Sequence, residues 1–216
     1  MFKVKICGVR RAEDLPHIAA AGADAVGLNF YPQSKRYLPL EEATSVAAAV
    51  PAGVARVGVF VNASTPEILA AAEQCRLVYL QLHGDESPFQ LAELRAWPVI
   101  KAFRFRAEGW TPIEKYIAEC KRHGVLPVAV LIDSPGTAGS YGGTGAAVDW
   151  QALADWRSHI DLPLILAGGL TPENVAEAIS VVGPSAVDTA SGVESPDGYK
   201  NAVATRNFVA SARSAL

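Results

Sequence analysis

Eight short apolar runs recur along the chain, and a stretch with helical spacing follows each of them. The runs are rich in Val, Ile, Leu and Phe with little polar alternation, which is typical of strands buried on both faces. They cover residues 4–7, 25–30, 56–61, 77–83, 99–105, 127–133, 163–169 and 186–192. Strict alternation of strands and helices predicts a parallel sheet with helical crossovers. Eight such units in 216 residues predict a (β/α)8 TIM barrel, with residues 1–216 as one domain.

Capping signals support the helical assignments. Thr65 and Thr171 each precede a proline and are predicted to be helix N-caps. Residues 148–158 are predicted to form the helix between the sixth and seventh strands. A doubly wound open sheet is the alternative, but such sheets usually carry a glycine-rich turn after the first strand. Here only Gly8 follows that strand, and the glycine clusters come late in the chain.

Composition excludes several classes of protein. Half of the residues are hydrophobic and 19% are charged, which is enough to bury a large core. With a net charge of -3 and no dense Lys/Arg block, nucleic acid is not an expected partner. No apolar run approaches the roughly 18 residues of a membrane span, and we expect no secretory signal at the start. Three widely spaced cysteines without a CxxC pair predict neither a disulfide framework nor a zinc site, and they suit a reducing cytoplasm.

Because barrels of this kind bind their substrates at the carboxyl ends of the strands, polar residues at those ends are the candidate site. Cys7 ends the first strand, with Gly8 after it and Lys5 two residues before it on the same face. A buried, inert thiol is the simplest interpretation of a lone cysteine. At this position we instead expect a reactive thiol, with room for a ligand at Gly8 and with an ammonium that lowers the thiol pKa.

Asp133 ends the sixth strand. Leu131 and Ala129 share its face, so its carboxyl group is predicted to point into the mouth of the barrel. Burying an unpaired charge is costly, which favours a functional role over chance. We expect partial burial to raise the pKa of Asp133 and to suit it to general acid catalysis.

Other strand ends carry candidate binding residues. Arg36 follows the second strand beside Lys35, and its planar guanidinium suits a carboxylate. His83 ends the fourth strand and Asp188 lies on the eighth, and both are weaker candidates. Lys101, on the fifth strand, is predicted to form an ion pair.

Glycines follow the seventh and eighth strands, where such barrels commonly bind phosphate through backbone N–H groups. The predicted phosphate residues are Gly168, Gly169, Ser191 and Gly192. The loop 134–147 carries five glycines. Its length favours a functional lid rather than a merely flexible connection. It contains no P-loop motif, so we expect no nucleoside triphosphate.

The motifs, taken in order, resemble those of phosphoribosylanthranilate isomerase over nearly the whole chain. The matching segments are KICGVR, GLNFYPQSKRYL, VGVFVN, LQLHGDE, IKAFR, LIDS, YGGTG, LAGGLTPENV and VDTASGVE. The resemblance implies an enzyme of tryptophan biosynthesis that converts N-(5-phosphoribosyl)anthranilate to 1-(2-carboxyphenylamino)-1-deoxyribulose 5-phosphate. This Amadori rearrangement uses no cofactor and no metal.

The resemblance also implies roles for individual residues. Cys7 is expected to be the general base, Asp133 the general acid and Arg36 the group that binds the anthranilate carboxylate. The phosphate is expected at the backbone of the four residues named above for it. The chain departs from the family pattern at Ala190, where serine is common, at Ala146, where a larger residue is common, and at Asn201, where an acidic residue is common.

Three alternatives are weighed at this stage. The barrel that closes indole next in the tryptophan pathway depends on Lys/Glu catalysis and would typically be longer than this chain. The related histidine-pathway isomerase uses two aspartates, and Cys7 argues against it. A phosphate-binding barrel that no longer catalyses would be expected to lack Cys7 or Asp133, and both are present. The expected partner is a small phosphoribosyl substrate, and both a monomer and a homodimer are compatible with the sequence.

Overall fold

The computed structural model describes residues 1–134 and 149–216. Eight parallel strands close into a barrel in chain order, with β1 hydrogen-bonded to β8. The strands are β1 (Val4–Cys7), β2 (Ala25–Asn29), β3 (Ala55–Phe60), β4 (Tyr79–Leu82), β5 (Val99–Arg104), β6 (Ala129–Asp133), β7 (Leu164–Leu166) and β8 (Ala186–Thr189). The predicted TIM barrel is confirmed, and closure of β1 on β8 excludes the open sheet.

Seven α-helices cover the barrel in the described part of the chain. They are α1 (Leu15–Ala20), α2 (Leu40–Ala48), α3 (Thr65–Gln74), α4 (Pro88–Glu93), α5 (Thr111–Arg122), α6 (Val175–Val182) and α7 (Ala202–Ala215). Within those residues, none of the helices combines the length and the apolar character that crossing a membrane requires.

The helix predicted at 148–158 is wrong in its described part. Gln151–Leu153 and Trp156–Ser158 form two separate 3₁₀ turns. The carboxylate of Asp149 accepts the N–H groups of Gln151 and Ala152, which is the pattern of a helix N-cap and favours the first turn. The backbone departs from the helical conformation at Asp155, with φ -97° and ψ 15°, and this separates the two turns. In the described residues after 148, two short 3₁₀ turns therefore precede β7.

Both predicted N-caps are also wrong. Ser64, not Thr65, caps α3, because its hydroxyl accepts the N–H of Glu67 while the Glu67 carboxylate accepts the N–H of Ser64. Helix α6 begins only at Val175, after Asn174. Thr171 lies in the preceding turn, where its N–H donates to the side-chain oxygen of Asn174.

Alternation along the strands divides the apolar residues into two clusters. One cluster fills the barrel interior and includes Ala25, Val57, Ile100, Leu131 and Ile165. The larger cluster packs the outward strand faces against the helices. Side chains two residues apart on a strand share a face, so interior positions at the carboxyl ends of the strands project into the mouth of the barrel. This geometry places the candidate site.

Candidate active site

One cavity at the carboxyl rim of the barrel collects most of the predicted site residues. It holds about 750 Å³ of empty space, including space open to solvent. Its lining includes Cys7, Asn29, Ser34, Arg36, Gln81, His83, Asp133, Gly168, Gly169, Asp188, Ala190 and Ser191. The thiol and the carboxyl group predicted to act together therefore share one cavity.

Cys7 lies in the barrel interior, on the same face of β1 as Lys5. Both are buried, whereas Val4 and Ile6, the alternate residues of the strand, pack outward in the larger cluster. Gly27 of β2 is the register partner of Cys7. A Cβ atom at Gly27 would lie 2.7 Å from the Cys7 sulfur and 3.2 Å from Cε of Lys5. Both side chains thus depend on the absence of a side chain at Gly27.

The expected lowering of the Cys7 pKa is wrong for the free protein. Burial raises the pKa of the thiol, and the ammonium of Lys5 opposes this effect without overcoming it. The thiol is therefore protonated in the resting site. The prediction took account of the neighbouring charge but not of the desolvation.

Lys5 also forms an ion pair with Asp188. The two are register neighbours on β1 and β8, and Nζ of Lys5 lies 2.9 Å from Oδ1 of Asp188. Although burial alone lowers the pKa of Lys5, Asp188 and Cys7 raise it above its ordinary value, so the ammonium is retained. The charge that faces Cys7 is thus largely balanced by a carboxylate, which limits its effect on the thiol.

Asp133 points into the cavity, as predicted, and it is held on both oxygens. Oδ1 accepts the N–H of Ser134 at 2.8 Å, and Oδ2 lies 3.2 Å from Nε2 of His83. Gly168 has a φ of +81°, and a Cβ there would lie 2.4 Å from the Ser134 nitrogen and 3.0 Å from Oδ1 of Asp133. The turn after β7 can therefore approach Asp133 only because residue 168 is glycine.

The expected rise in the Asp133 pKa is also wrong for the free protein. Burial alone raises it, but the hydrogen bond and charge of His83 together with the Ser134 N–H bring the pKa of Asp133 below its ordinary value. The resting carboxyl group is ionised. In the free protein, Cys7 thus favours the protonated form and Asp133 the ionised form, whereas a general base must be ionised and a general acid must be protonated.

A buried ion pair positions the loop that carries His83. Nζ of Lys101 lies 2.9 Å from Oε2 of Glu86 and donates to the carbonyl of Gly84 at 2.8 Å. The Glu86 carboxylate in turn accepts the N–H of Gly84. The predicted ion pair of Lys101 is therefore present, and it fixes the turn directly after His83.

Arg36 lines the cavity, but one edge of its guanidinium is already occupied. Nε and Nη2 bind the two oxygens of Glu194 at 2.5 and 2.8 Å. The space expected for a ligand at Gly8 is filled by Arg36 itself, since a Cβ at Gly8 would lie 2.2 Å from Cδ of Arg36. Gly8 also has a φ of +73°, which favours glycine on its own account. Gly8 therefore makes room for the side chain of Arg36 and not for the substrate.

Lys200 and Glu194 belong to this site and were missed by the sequence analysis. Nζ of Lys200 lies 2.8 Å from Oε1 of Glu194 and donates to the carbonyl of Ala190 at 3.0 Å. Glu194 ends the quoted motif VDTASGVE, which was a usable signal. Because β8 pairs with β1, the loop after β8 lies beside the loops after β1 and β2, so an acidic residue there could have been assigned to Arg36.

The glycine-rich turns divide into two groups. Gly168, Gly169 and Ser191 line the cavity, as a phosphate site there requires. Gly192 is not among the lining residues, and a Cβ there would lie 1.9 Å from the carbonyl oxygen of Leu170. Its observed role is to let the turns after β7 and β8 approach each other. The predicted lid loop 134–147 lies outside the described residues from 135 onward, as does Ala146.

An eight-stranded barrel with a thiol, two carboxylates and an arginine around one cavity at the carboxyl ends of the strands has the arrangement of a barrel enzyme. Comparison with known proteins identifies the family. The sequence profile described as N-(5'phosphoribosyl)anthranilate (PRA) isomerase matches residues 4–211. A relative named N-(5'-phosphoribosyl)anthranilate isomerase, from Acidithiobacillus ferrooxidans, is 43% identical over 215 residues, which are 99% of this chain and 98% of that protein.

Solved structures agree with that result. Phosphoribosyl anthranilate isomerase from Thermotoga maritima superimposes with a TM-score of 0.86 at 36% identity, over 99% of this chain and 100% of the other. A phosphoribosyl anthranilate isomerase in complex with reduced 1-(o-carboxyphenylamino)-1-deoxyribulose 5-phosphate matches with a TM-score of 0.83 at 36% identity, again over 99% and 100%. The chain belongs to the N-(5'-phosphoribosyl)anthranilate isomerase family, so the resemblance drawn from the motifs and the isomerase class are both confirmed.

Proposed function

We propose that the chain converts N-(5-phosphoribosyl)anthranilate to 1-(2-carboxyphenylamino)-1-deoxyribulose 5-phosphate with Cys7 as general base and Asp133 as general acid. The observation that carries the proposal is the placement of both groups on one cavity at the rim, within a chain of this family. The enzyme is proposed to act in the cytoplasm, since its three cysteines are free thiols, which suits a reducing compartment.

The proposed reaction needs two proton transfers. Asp133 protonates the ring oxygen of the ribose, and the ring opens to an iminium. The thiolate of Cys7 then removes the proton from the neighbouring ribose carbon, and the resulting enolamine tautomerises to the aminoketone. Because the iminium itself accepts the electron pair, the step is proposed to need neither metal nor cofactor. Each transfer contributes roughly 10²–10⁴-fold to the rate.

The remaining lining residues are proposed to hold the two anionic ends of the substrate. Arg36 receives the anthranilate carboxylate on the donors that Glu194 does not use. The turns at Gly168, Gly169 and Ser191 receive the phosphate, with Gly192 allowing their close approach. Fixing both ends positions the sugar between acid and base. Asp188 remains paired with Lys5 and is proposed to contact the sugar.

Turnover of the substrate tests the proposed function. Purified protein is added in catalytic amount to freshly formed N-(5-phosphoribosyl)anthranilate, and the fluorescence of the anthranilate ring is followed. We expect the signal to change until all of the substrate is consumed, at a rate proportional to enzyme concentration. A change that stops at one equivalent of substrate per protein would instead identify a binding protein.

The two pKa shifts give the expected pH dependence of kcat/KM, which reports on the free enzyme. The active form carries a thiolate at Cys7 and a protonated Asp133. Its fraction is constant between the lowered pKa of Asp133 and the raised pKa of Cys7, since a rise in pH gains thiolate by the same factor as it loses acid. Activity falls below the first pKa because thiolate is lost, and above the second because the acid is lost.

We therefore expect a flat profile across neutral pH, once the ionisation of the substrate phosphate is taken into account. The acid limb is expected below the ordinary carboxyl pKa of about 3.9 and the alkaline limb above the ordinary thiol pKa of about 8.5. Initial rates at low substrate concentration, in buffers of constant ionic strength, measure the profile. A bell with both limbs between pH 5 and 8 would contradict this assignment of protonation states.

A further inference from the structure

Three charged side chains form one buried cluster beside the cavity: Arg36, Glu194 and Lys200. Glu194 accepts from Nε and Nη2 of Arg36 on one side and lies 2.8 Å from Nζ of Lys200 on the other. The side chain of Lys200 is completely buried, and those of the other two are less than a tenth exposed. Charges this deeply buried interact strongly, because water screens them little.

The arginine retains donors for a second carboxylate. A guanidinium carries five N–H groups, and Glu194 engages Nε and one N–H of Nη2. The end of the guanidinium formed by Nη1 and Nη2 is therefore not the edge that Glu194 covers. Since Arg36 lines the cavity, a carboxylate of the substrate can use that end.

Glu194 leaves these donors of Arg36 free, but its negative charge cancels the positive charge of the guanidinium. Arg36 and Glu194 alone would form a neutral pair with little net attraction for another anion. Burial lowers the pKa of Lys200, and the Glu194 carboxylate opposes this shift. With its ammonium charged, Lys200 adds a second cation to the same carboxylate, and the cluster as a whole carries one net positive charge. Lys200 is not among the residues that line the cavity, and its ammonium contacts Glu194 and the carbonyl of Ala190, a residue that does line it.

Other buried carboxylates nearby have cations of their own. Asp188 pairs with Lys5 at 2.9 Å, and Asp14 pairs with Arg11 at 2.7 Å while accepting the backbone N–H of Lys200. Of the residues that the structure describes, Glu194 is thus the acidic side chain that pairs with the Lys200 ammonium.

We propose that Lys200 is a positioning residue for specificity: it keeps the Arg36–Glu194 cluster cationic, and this net charge selects a substrate whose aromatic ring carries a carboxylate. The inference rests on the proposed function, in which Arg36 binds that carboxylate. It assigns to Lys200 an effect on affinity for one substituent of the substrate and no part in proton transfer.

Two probes separate this role from a structural one. The first is reduced 1-(o-carboxyphenylamino)-1-deoxyribulose 5-phosphate, and the second is the same compound without the ring carboxylate. Dissociation constants for both are measured by calorimetry on the wild-type chain and on Lys200→Met. We expect the variant to bind the first probe roughly 10–100-fold more weakly and to lose clearly less affinity for the second, which keeps only the phosphate as an anionic end. Lys121→Met, on the exposed face of α5, is the matched control and should change neither.

Equal weakening of both probes, or no change in either, would overturn the proposal. If Lys200→Met alone does not fold, the same comparison is made between Glu194→Gln and the double variant with Lys200→Met. In that comparison, the double variant must show a smaller ratio between its affinities for the carboxylated and the carboxylate-free probe than Glu194→Gln shows. An unchanged ratio overturns the proposal. Because binding is measured without turnover, this result stands apart from the turnover assay: an isomerase whose Lys200→Met variant keeps its carboxylate preference would refute only the role of Lys200.

Discussion

Replacement of Cys7 by alanine is expected to reduce kcat by roughly 10²–10⁴-fold, the usual contribution of a general base. Alanine has no group that can accept the proton from the sugar carbon. Lys5, the nearest alternative on the same strand face, is still paired with Asp188 in this variant, and that carboxylate favours the ammonium form, which cannot accept a proton. Affinity for reduced 1-(o-carboxyphenylamino)-1-deoxyribulose 5-phosphate should be largely retained, since its two anionic ends are bound elsewhere. Steady-state kinetics and calorimetry measure the two effects.

The matched control for this variant is Cys75→Ala. Cys75 is also a buried free thiol, but it lies at the end of α3, outside the cavity. The same chemical change there should leave kcat near its wild-type value. Turnover that survives Cys7→Ala, or that falls equally in both variants, would remove Cys7 from the mechanism. Urea unfolding of both variants shows whether a lower rate reflects lost structure.

The architecture was predictable because it follows from periodicity. Eight buried apolar runs separated by helical stretches have few solutions other than a closed barrel, and the period of two along a strand places Cys7 and Asp133 inside it. The helix predicted at 148–158 failed because the backbone departs from the helical conformation at Asp155, a local geometry that periodicity does not contain. The caps of α3 and α6 failed for the same kind of reason.

The protonation states were not predictable in the same way. A neighbouring lysine in the sequence suggested a lowered thiol pKa for Cys7, and a strand-end position suggested a raised carboxyl pKa for Asp133. Both directions proved opposite, because each is a balance between desolvation and contacts from other strands. The carboxylate of Asp188 faces Lys5 from β8, and His83 reaches Asp133 from the end of β4. Such contacts follow from barrel closure and rotamers, which the sequence pattern does not specify.

The second large effect is expected for Asp133→Asn. Asparagine has nearly the same shape and can still accept the N–H of Ser134, but it cannot donate a proton to the ribose oxygen. We expect kcat to fall by roughly 10²–10⁴-fold while affinity for the reduced product analogue is retained. Ring opening should then limit the rate. A substrate analogue that already exists in the open-chain form should restore most of the turnover in this variant and none in Cys7→Ala.

A surface carboxylate gives the matched control for the last variant. Asp155 is mostly exposed and pairs with His159 outside the cavity, so Asp155→Asn makes the same chemical change without touching the site. Its kcat should be that of the wild type.

If Asp133→Asn also turned over normally, His83 would be the remaining group at 3.2 Å able to carry the proton, and the acid would have to be reassigned to it. If both groups are needed, with His83 positioning Asp133, then His83→Gln should lower the kcat of the wild-type chain. The same change should not lower the kcat of Asp133→Asn any further, since a positioning residue has no effect once the group it positions is gone.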